Sequence, residues 1–110
     1  MLAKQLLVCS ILVLCAAGCS TTTTINNSQT KSGETLFKER CATCHPDGRN
    51  IIQPQATLWK IDREARGVKT VDDLVGKMRN PGKGMPRFTP DMLPDADARA
   101  IAEYIIKTFN

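Results

Sequence analysis

The chain has 110 residues, a formal net charge of +4 and five cysteines. Its apolar fraction of 42% and charged fraction of 24% are ordinary, which indicates one small globular domain and excludes collagen-like, fully disordered and polytopic membrane proteins. Because the positive charge is mild and only 5% of the residues are aromatic, we expect no nucleic-acid partner.

The first 18 residues have the pattern of an export signal. Lys4 provides a positive start, and the almost wholly apolar residues 6–17 follow it. This stretch is shorter than the roughly 20 apolar residues that span a bilayer as a helix. The sequence before Cys19 resembles the cleavage box of bacterial lipoproteins, in which the cysteine is acylated. We predict a lipoprotein-type signal peptide over residues 1–18 and lipidation of Cys19; the alternative is a plain signal that leaves a free cysteine.

A polar segment follows the predicted cleavage site. Residues 20–31 contain one apolar side chain, that of Ile25, so they cannot bury enough surface to offset the entropy of ordering. We predict that residues 19–31 are an acylated cysteine and a flexible linker with a span of about 20 Å. The linker would tether a domain of residues 32–110 to the periplasmic face of a bacterial membrane; without acylation the protein would be soluble in the periplasm.

The domain is predicted to begin with a helix that leads into a cysteine motif. Ser32 is a good N-cap residue, and Glu34 suits the first helical turn. Cys41 and Cys44 are three positions apart, and His45 follows at once. Two thiols on one helical face can add to the two vinyl groups of a haem, and the imidazole then reaches the iron. The motif predicts c-type haem attachment, with two covalent anchors and a proximal ligand.

Three other interpretations of this motif are open. A structural zinc site needs four ligands, but the domain has no second cysteine pair and no other histidine. A thioredoxin-like redox pair needs neighbouring strands, whereas the flanking segments indicate helices. A disulfide between the two cysteines is the simplest alternative in an exported protein. Haem is favoured because its large apolar ring would also complete the core of a domain this small.

The segment after the motif contains one further helix signal. Residues 60–66 alternate in charge, which is typical of a solvated helical or turn surface. Thr70 and Asp73 resemble a capping box, and apolar residues then recur at helical spacing as far as Met78. We therefore predict a helix over residues 70–78, with Met78 in its buried face.

The second axial ligand of the iron is expected to be a methionine, because the chain has no second histidine. Met78 belongs to the predicted helix core, and Met92 can simply fill a gap between prolines. Met85 lies between glycines and Pro86, which can hold its thioether in an extended loop. We predict Met85 as the distal ligand; the alternative is a loop methionine that packs on the haem without bonding to the iron.

The last predicted helix follows Pro94. Acidic residues open it, Lys107 lies near its end, and its apolar residues form one face. That face contains Ala98, Ile101, Ala102, Ile105 and Phe109. Because no segment alternates apolar and polar residues, we predict an all-α fold.

Several motifs together resemble a known family over residues 32–109. They read C-A-T-C-H, N-I-I, T-L, N-P-G-K-G-M-P-R-F and I-A-E-Y-I. They are similar to class I monohaem cytochromes c, especially the small algal, cyanobacterial and bacterial single-haem electron carriers. The resemblance implies the cytochrome c fold, with three to five short helices wrapped around one covalently attached haem c. It also implies these roles: thioethers at Cys41 and Cys44, proximal ligation by His45, distal ligation by Met85 and a propionate-side contact by Asn50.

The same resemblance implies how the helices pack. In that family the first and last helices cross, and a glycine and an aromatic residue on one meet an aromatic residue on the other. Gly33, Phe37 and Tyr104 occupy the matching positions.

We therefore expect a membrane-tethered, monomeric carrier of single electrons between redox proteins, and not an enzyme. An iron with His and Met on its two axial positions has no room for substrate, and Met ligation raises its reduction potential. Two alternatives remain at this point: a haem sensor or peroxidase-like protein with a labile Met ligand, and a cytochrome subunit of a larger oxidoreductase.

Overall fold

The computed structural model describes residues 30–110, which are helical with irregular connections. The elements are α1 (Gly33–Arg40), a 3₁₀ turn (Pro46–Gly48), α2 (Lys60–Ala65), α3 (Val71–Arg79) and α4 (Asp95–Thr108). Within this part of the chain there is no strand, which confirms the predicted all-α class and the number of helices. The predicted signal peptide, Cys19 and nearly all of the linker lie outside the described residues.

The predicted caps begin two of the helices. At α1, Ser32 Oγ accepts a hydrogen bond from the amide of Thr35 at 3.2 Å. At α3, Thr70 Oγ1 accepts from the amide of Asp73 at 3.1 Å, and the Asp73 carboxylate accepts from the amide of Thr70 at 2.8 Å. These bonds satisfy amides that have no partner inside the helix, and they confirm the capping box.

Helices α1 and α4 cross at Gly33, as the resemblance implies. A Cβ atom on Gly33 would lie 2.0 Å from the carbonyl oxygen of Ala100, so only glycine permits the two backbones to approach so closely. Beside the crossing, the rings of Phe37 and Tyr104 lie 5.3 Å apart, and Phe109 is 5.5 Å from Phe37. The crossing fixes the end of α1, where the cysteine motif begins.

Helix α4 is the centre of the core and packs against both α1 and α3. All five residues of its predicted apolar face are buried. Buried side chains of the other elements meet this face, namely Leu36, Phe37, Val68, Leu74, Met78 and Leu93. None of the helices between residues 30 and 110 is long and apolar enough to cross a membrane.

Candidate functional site

The predicted site residues that lie within residues 30–110 line one cavity of about 260 Å³. Its wall contains Cys41, Cys44, His45, Asn50 and Met85. Apolar side chains from α3, α4 and the connections complete it, including Ile52, Leu58, Val68, Leu74, Phe88, Leu93 and Ile105. An apolar cavity with two thiols, an imidazole and a thioether on its wall suits a flat apolar group that contains a metal.

The end of α1 places the cysteine motif on this wall. The amide of Cys41 caps the helix by donating to Phe37 at 2.8 Å, and the amides of Cys44 and His45 both donate to the carbonyl of Cys41. The resulting turn directs the three side chains to one cavity. Burial raises the pKa of the Cys41 thiol to about 11, and the two thiols are not joined in a disulfide.

The orientation of His45 is fixed by a backbone carbonyl. Its Nδ1 lies 2.9 Å from the carbonyl oxygen of Arg49. Because a carbonyl can only accept, Nδ1 carries the hydrogen, and Nε2 keeps its lone pair. Burial lowers the pKa of His45, which favours the neutral ring. A neutral imidazole with Nε2 available is the form that binds iron.

Two hydrogen bonds hold the loop that contains Met85, and a glycine shapes it. The amide of Phe88 donates to the carbonyl of Met78 at 2.9 Å, and the side-chain amide of Gln53 donates to the carbonyl of Lys83 at 2.8 Å. Gly84 has a φ of 91°, a conformation that strains any residue with a Cβ atom. The turn before Met85 therefore depends on the conformational freedom of Gly84.

The other two methionines differ in their relation to the cavity. Met78 is buried in the core, as predicted for the inner face of α3, but it also lines the cavity. Met92 is 52% exposed and is not part of the wall. The geometry therefore leaves Met85 and Met78 within reach of a bound group.

Asn50 uses its side chain to order the loop that follows the motif. Its Nδ2 donates to the carbonyl of Ala56 at 3.1 Å, and its Oδ1 accepts from the amides of Ile52 and Gln53 at 2.9 and 2.8 Å. Three hydrogen bonds to the backbone fix this residue in the cavity wall, and its predicted contact with a propionate stays a prediction.

Comparison with known proteins identifies the family of this chain. Residues 28–105 match the family model described as cytochrome c oxidase, cbb3-type, subunit III. Cytochrome c6 of Bumilleriopsis filiformis is 36% identical over 76 residues, which cover 69% of this chain and 87% of that protein. The chain belongs to the cytochrome c family. This cytochrome c therefore carries one covalently attached haem c and is an electron carrier, not an enzyme.

Solved structures agree with this assignment. Outer membrane cytochrome F of Geobacter sulfurreducens, OmcF, has 47% sequence identity and a TM-score of 0.70, over 72% of this cytochrome c and 100% of that chain. Oxidised cytochrome c6A of Arabidopsis thaliana has 31% identity and a TM-score of 0.60, over 68% and 84% of the two chains. The cytochrome c fold that the sequence predicts is confirmed.

The donor set of the cavity fits haem c better than the alternatives. Two thiols three positions apart can form the two thioethers, and His45 follows them with a free Nε2. Among residues 30–110 no group of three or more His, Cys, Asp or Glu side chains could hold a metal ion, so a zinc site lacks its ligands there.

One buried residue of the wall does not follow from the sequence. Arg63 of α2 is only 2% exposed, although residues 60–66 were expected to form a solvated surface. Its Nε donates to the carbonyl of Leu58 at 2.8 Å, and its Nη1 donates to the carbonyl of Val68 at 3.2 Å. The expectation was wrong at this position because tertiary contacts, and not local charge pattern, decide which side of so short a helix is buried.

The charged residues of the wall all have the same sign. Basic side chains from four parts of the fold line the cavity, namely Arg40, Arg63, Arg66, Lys77 and Lys83, and no carboxylate of the described residues does. A bound group with negative charge would therefore be favoured here.

Proposed function

We propose that this cytochrome c holds its haem through thioethers at Cys41 and Cys44, with His45 and Met85 as the two axial ligands of the iron. The observation that carries the proposal is that these four side chains line one apolar cavity, with His45 Nε2 unprotonated. Haem c supplies one-electron chemistry when bound. Because His45 and Met85 would both bind the iron, substrates would have no access to it, and the protein would exchange single electrons with redox partners.

The other lining residues support this arrangement. Leu58, Leu74 and Ile105 would exclude water from the ring, which raises the reduction potential, as does methionine ligation. Asn50 lies on the same wall, and its amide would lie on the propionate side of the haem.

The test of the haem site is to express the full chain in a bacterium that attaches haem to exported proteins. We expect one haem in the mass of the purified protein and, in the oxidised spectrum, the weak near-infrared band of a sulfur-to-iron bond. Replacement of Cys41 and Cys44 by alanine should abolish covalent haem. An exported and processed protein without haem, or rapid CO binding by the reduced protein, would contradict the proposal.

We further propose that the domain is exported and anchored to a membrane by acylation of Cys19. The lipoprotein-like box before Cys19 and the polar segment after it support this location. The name of OmcF places that relative in an outer membrane. Two or more acyl chains give stable anchoring, because each buried CH₂ contributes about 0.8 kcal/mol.

The anchor is tested with two matched cysteine variants. Cys19→Ser should move the protein from the membrane fraction to the soluble periplasm and remove the acyl mass. Cys15→Ser is the control, because Cys15 lies in the predicted signal peptide and is discarded. Acylated wild-type protein with an N-terminus other than Cys19 would contradict the assignment, as would an unacylated mature protein.

The family model gives reason for a second candidate function. It bears the name of an oxidase subunit, so this domain type also occurs within larger complexes. We propose a free monomeric carrier because OmcF is matched over its whole length by this one domain. A stable complex with an oxidoreductase, purified from solubilised membranes, would instead favour the subunit.

A further inference from the structure

A second concave surface lies beside α2, apart from the haem cavity. It is an open groove of about 530 Å³, lined by Trp59, Lys60, Ile61, Glu64 and Asn110. Trp59 is 40% exposed and Ile61 is 80% exposed. Two large apolar side chains that stand together in one groove, and that nothing within residues 30–110 covers, indicate a contact surface.

Helix α2 separates this groove from the haem cavity. Arg63 lines the cavity, whereas Lys60, Ile61 and Glu64 line the groove. Because successive residues of an α-helix are about 100° apart, Ile61 points almost opposite to Arg63. The groove and the cavity also share no lining residue. A partner that covers Ile61 would therefore leave the haem cavity accessible.

The groove has a fixed floor. The Trp59 ring meets the Phe109 ring edge-on at 5.6 Å, and the amide of Lys60 donates to the carbonyl of Phe109 at 2.9 Å. The indole N–H of Trp59 donates no hydrogen bond within the described part of the chain. An exposed indole that keeps its N–H for an outside acceptor suits the boundary between lipid tails and headgroups, where tryptophan is enriched.

The predicted linker joins the domain close to this groove. The Phe109 ring is 5.5 Å from the Phe37 ring, and Phe37 lies about 6 Å along α1 from the first residue of that helix. The Trp59 ring is therefore within roughly 20 Å of the start of α1. Residues 20–31 can span about 20 Å and at most about 40 Å. An acyl chain on Cys19 and the groove can thus reach the same bilayer.

We propose that the groove of Trp59 and Ile61 docks on the surface of the phospholipid bilayer that tethers the domain. This inference rests on the proposed acylation of Cys19. A tethered domain meets the bilayer at an effective concentration of about a millimolar, so a small apolar surface is sufficient. The charges of Lys60 and Glu64 offset each other in the groove, so docking depends on apolar burial and not on anionic lipid. The docked domain keeps its haem cavity open to redox partners.

The test uses the reduced, acylated holoprotein in nanodiscs that hold one protein each and contain a spin-labelled lipid. One set of nanodiscs is zwitterionic, and the other contains anionic phospholipid. We expect the label to broaden the NMR signals of the Trp59 indole and the Ile61 methyl groups in both sets. The signals of Lys77 and Lys83, beside the haem cavity, should stay sharp. Broadening of these lysines in place of the groove would show that positive charge orients the domain, and would overturn the inference.

Two glutamine variants of exposed apolar residues provide a matched comparison. Ile61→Gln removes apolar surface from the groove, whereas Met92→Gln removes it at a residue that is 52% exposed and lies outside the groove. Full burial of a large apolar side chain shifts an equilibrium about tenfold or more. For partial burial, we expect the ratio of docked to undocked protein to fall at least about threefold in I61Q and less than about twofold in M92Q. Equal effects of the two variants would overturn the inference.

A form without the acyl chain separates this inference from the proposed anchor. Cys19→Ser holoprotein is sedimented with zwitterionic vesicles at about 10 mM lipid, above the effective concentration that the tether provides. We expect binding that I61Q weakens and that salt leaves unchanged. Absence of binding would overturn docking by the groove, as would groove signals that shift with protein concentration without lipid, because a second copy would then cover the groove. A wild-type protein that lacks acyl groups would instead overturn the proposed anchor.

Discussion

At the residue scale, the site depends on side chains whose orientation the backbone sets. The carbonyl of Arg49 holds Nδ1 of His45, so the imidazole presents Nε2 to the cavity. The carbonyl of Met78 anchors the far end of the Met85 loop through Phe88. Such preorganisation would let a small protein hold both proposed ligands of the iron without a large supporting core.

The identity of the distal ligand can be tested by two matched methionine variants. Met85→Leu should remove the sulfur-to-iron band, lower the reduction potential and permit CO binding, because leucine fills the space but offers no lone pair. Met78→Leu removes the other methionine sulfur of the cavity wall and conserves volume, so it should keep the band and cost less than about 1.5 kcal/mol. Optical spectra and potentiometry check both. The reverse outcome would make Met78 the ligand.

The sequence predicts those parts of the site whose residues are neighbours in the chain. Cys41, Cys44 and His45 form a local motif, and Met85 stands out by its glycines and prolines. Arg63 carries no such signal, because its burial results from carbonyls on either side of α2 and from a cavity formed by distant segments. For the same reason, the sequence does not reveal that Met78 faces the cavity.

At the scale of elements, local signals and close packing both determine the fold. Helices α1, α3 and α4 follow from capping residues and apolar spacing, and the structure confirms all three. Helix α2 is not predicted as such, because six residues give too short a periodic pattern, and Trp59 at its start provides no side-chain cap. Its position depends on contacts such as the 5.6 Å ring pair of Trp59 and Phe109.

Two glycine-to-alanine substitutions test the crossing of α1 and α4. Gly33→Ala should lower the free energy of unfolding by about 2–3 kcal/mol, because its Cβ would collide with the Ala100 carbonyl. Gly76→Ala, on the exposed side of α3, meets nothing within 4 Å and should raise it by about 0.5–1 kcal/mol. Urea unfolding of both holoproteins measures the difference. If both substitutions changed the free energy of unfolding equally, helix propensity, and not the close approach of the two helices, would explain the effect at Gly33.

The capping box of α3 predicts a pH dependence of stability. Hydrogen bonds from the amides of Lys69 and Thr70, and from the Thr70 hydroxyl, lower the pKa of Asp73 below its ordinary value of 3.8. A lowered pKa in the folded state stabilises the protein above the unfolded value, and this contribution is lost as the pH falls through the folded value. Asp73→Ala should therefore destabilise the protein at pH 7, and the difference from wild type should shrink below about pH 3.8.

Urea midpoints at about pH 7, 5 and 3 measure this effect, with Asp91→Ala as the control. Asp91 is exposed and makes no hydrogen bond with residues 30–110, so its removal changes the net charge equally but removes no cap. A difference between wild type and D73A that stays constant with pH would contradict the role of the carboxylate in the cap.

At the scale of the whole molecule, charge is distributed unevenly although its sum is small. Cleavage of the predicted signal peptide removes Lys4 and lowers the net charge from +4 to +3, and two haem propionates would leave about +1. The charged side chains that line the cavity within residues 30–110 are nevertheless all basic. Arg79, which lies near the Met85 loop, is already paired with Asp95 at 2.6 Å. Lys77 and Lys83, the exposed lysines that form the basic rim of the cavity, are therefore the better candidates for contact with partners.

This uneven distribution predicts that local charge, and not net charge, governs electron exchange. Lys83 is exposed on the cavity rim, whereas Lys107 is exposed near the end of α4 and does not line the cavity. Oxidation of the reduced protein by an anionic metal complex should be slowed at least about threefold by Lys83→Glu at low ionic strength, and the difference should vanish in about 1 M salt.

Lys107→Glu makes the same change in net charge at a position outside the cavity wall and should alter the rate less than about twofold. Stopped-flow kinetics with an anionic and a cationic oxidant of similar potential provide the measurement, since the two reagents should respond to K83E in opposite directions. If K83E and K107E slow oxidation by the anionic reagent equally, the net charge of the protein controls the encounter, and the basic rim has no specific role. If only K83E acts, acidic partner surfaces are expected to dock where Lys83 and the Met85 loop border the haem.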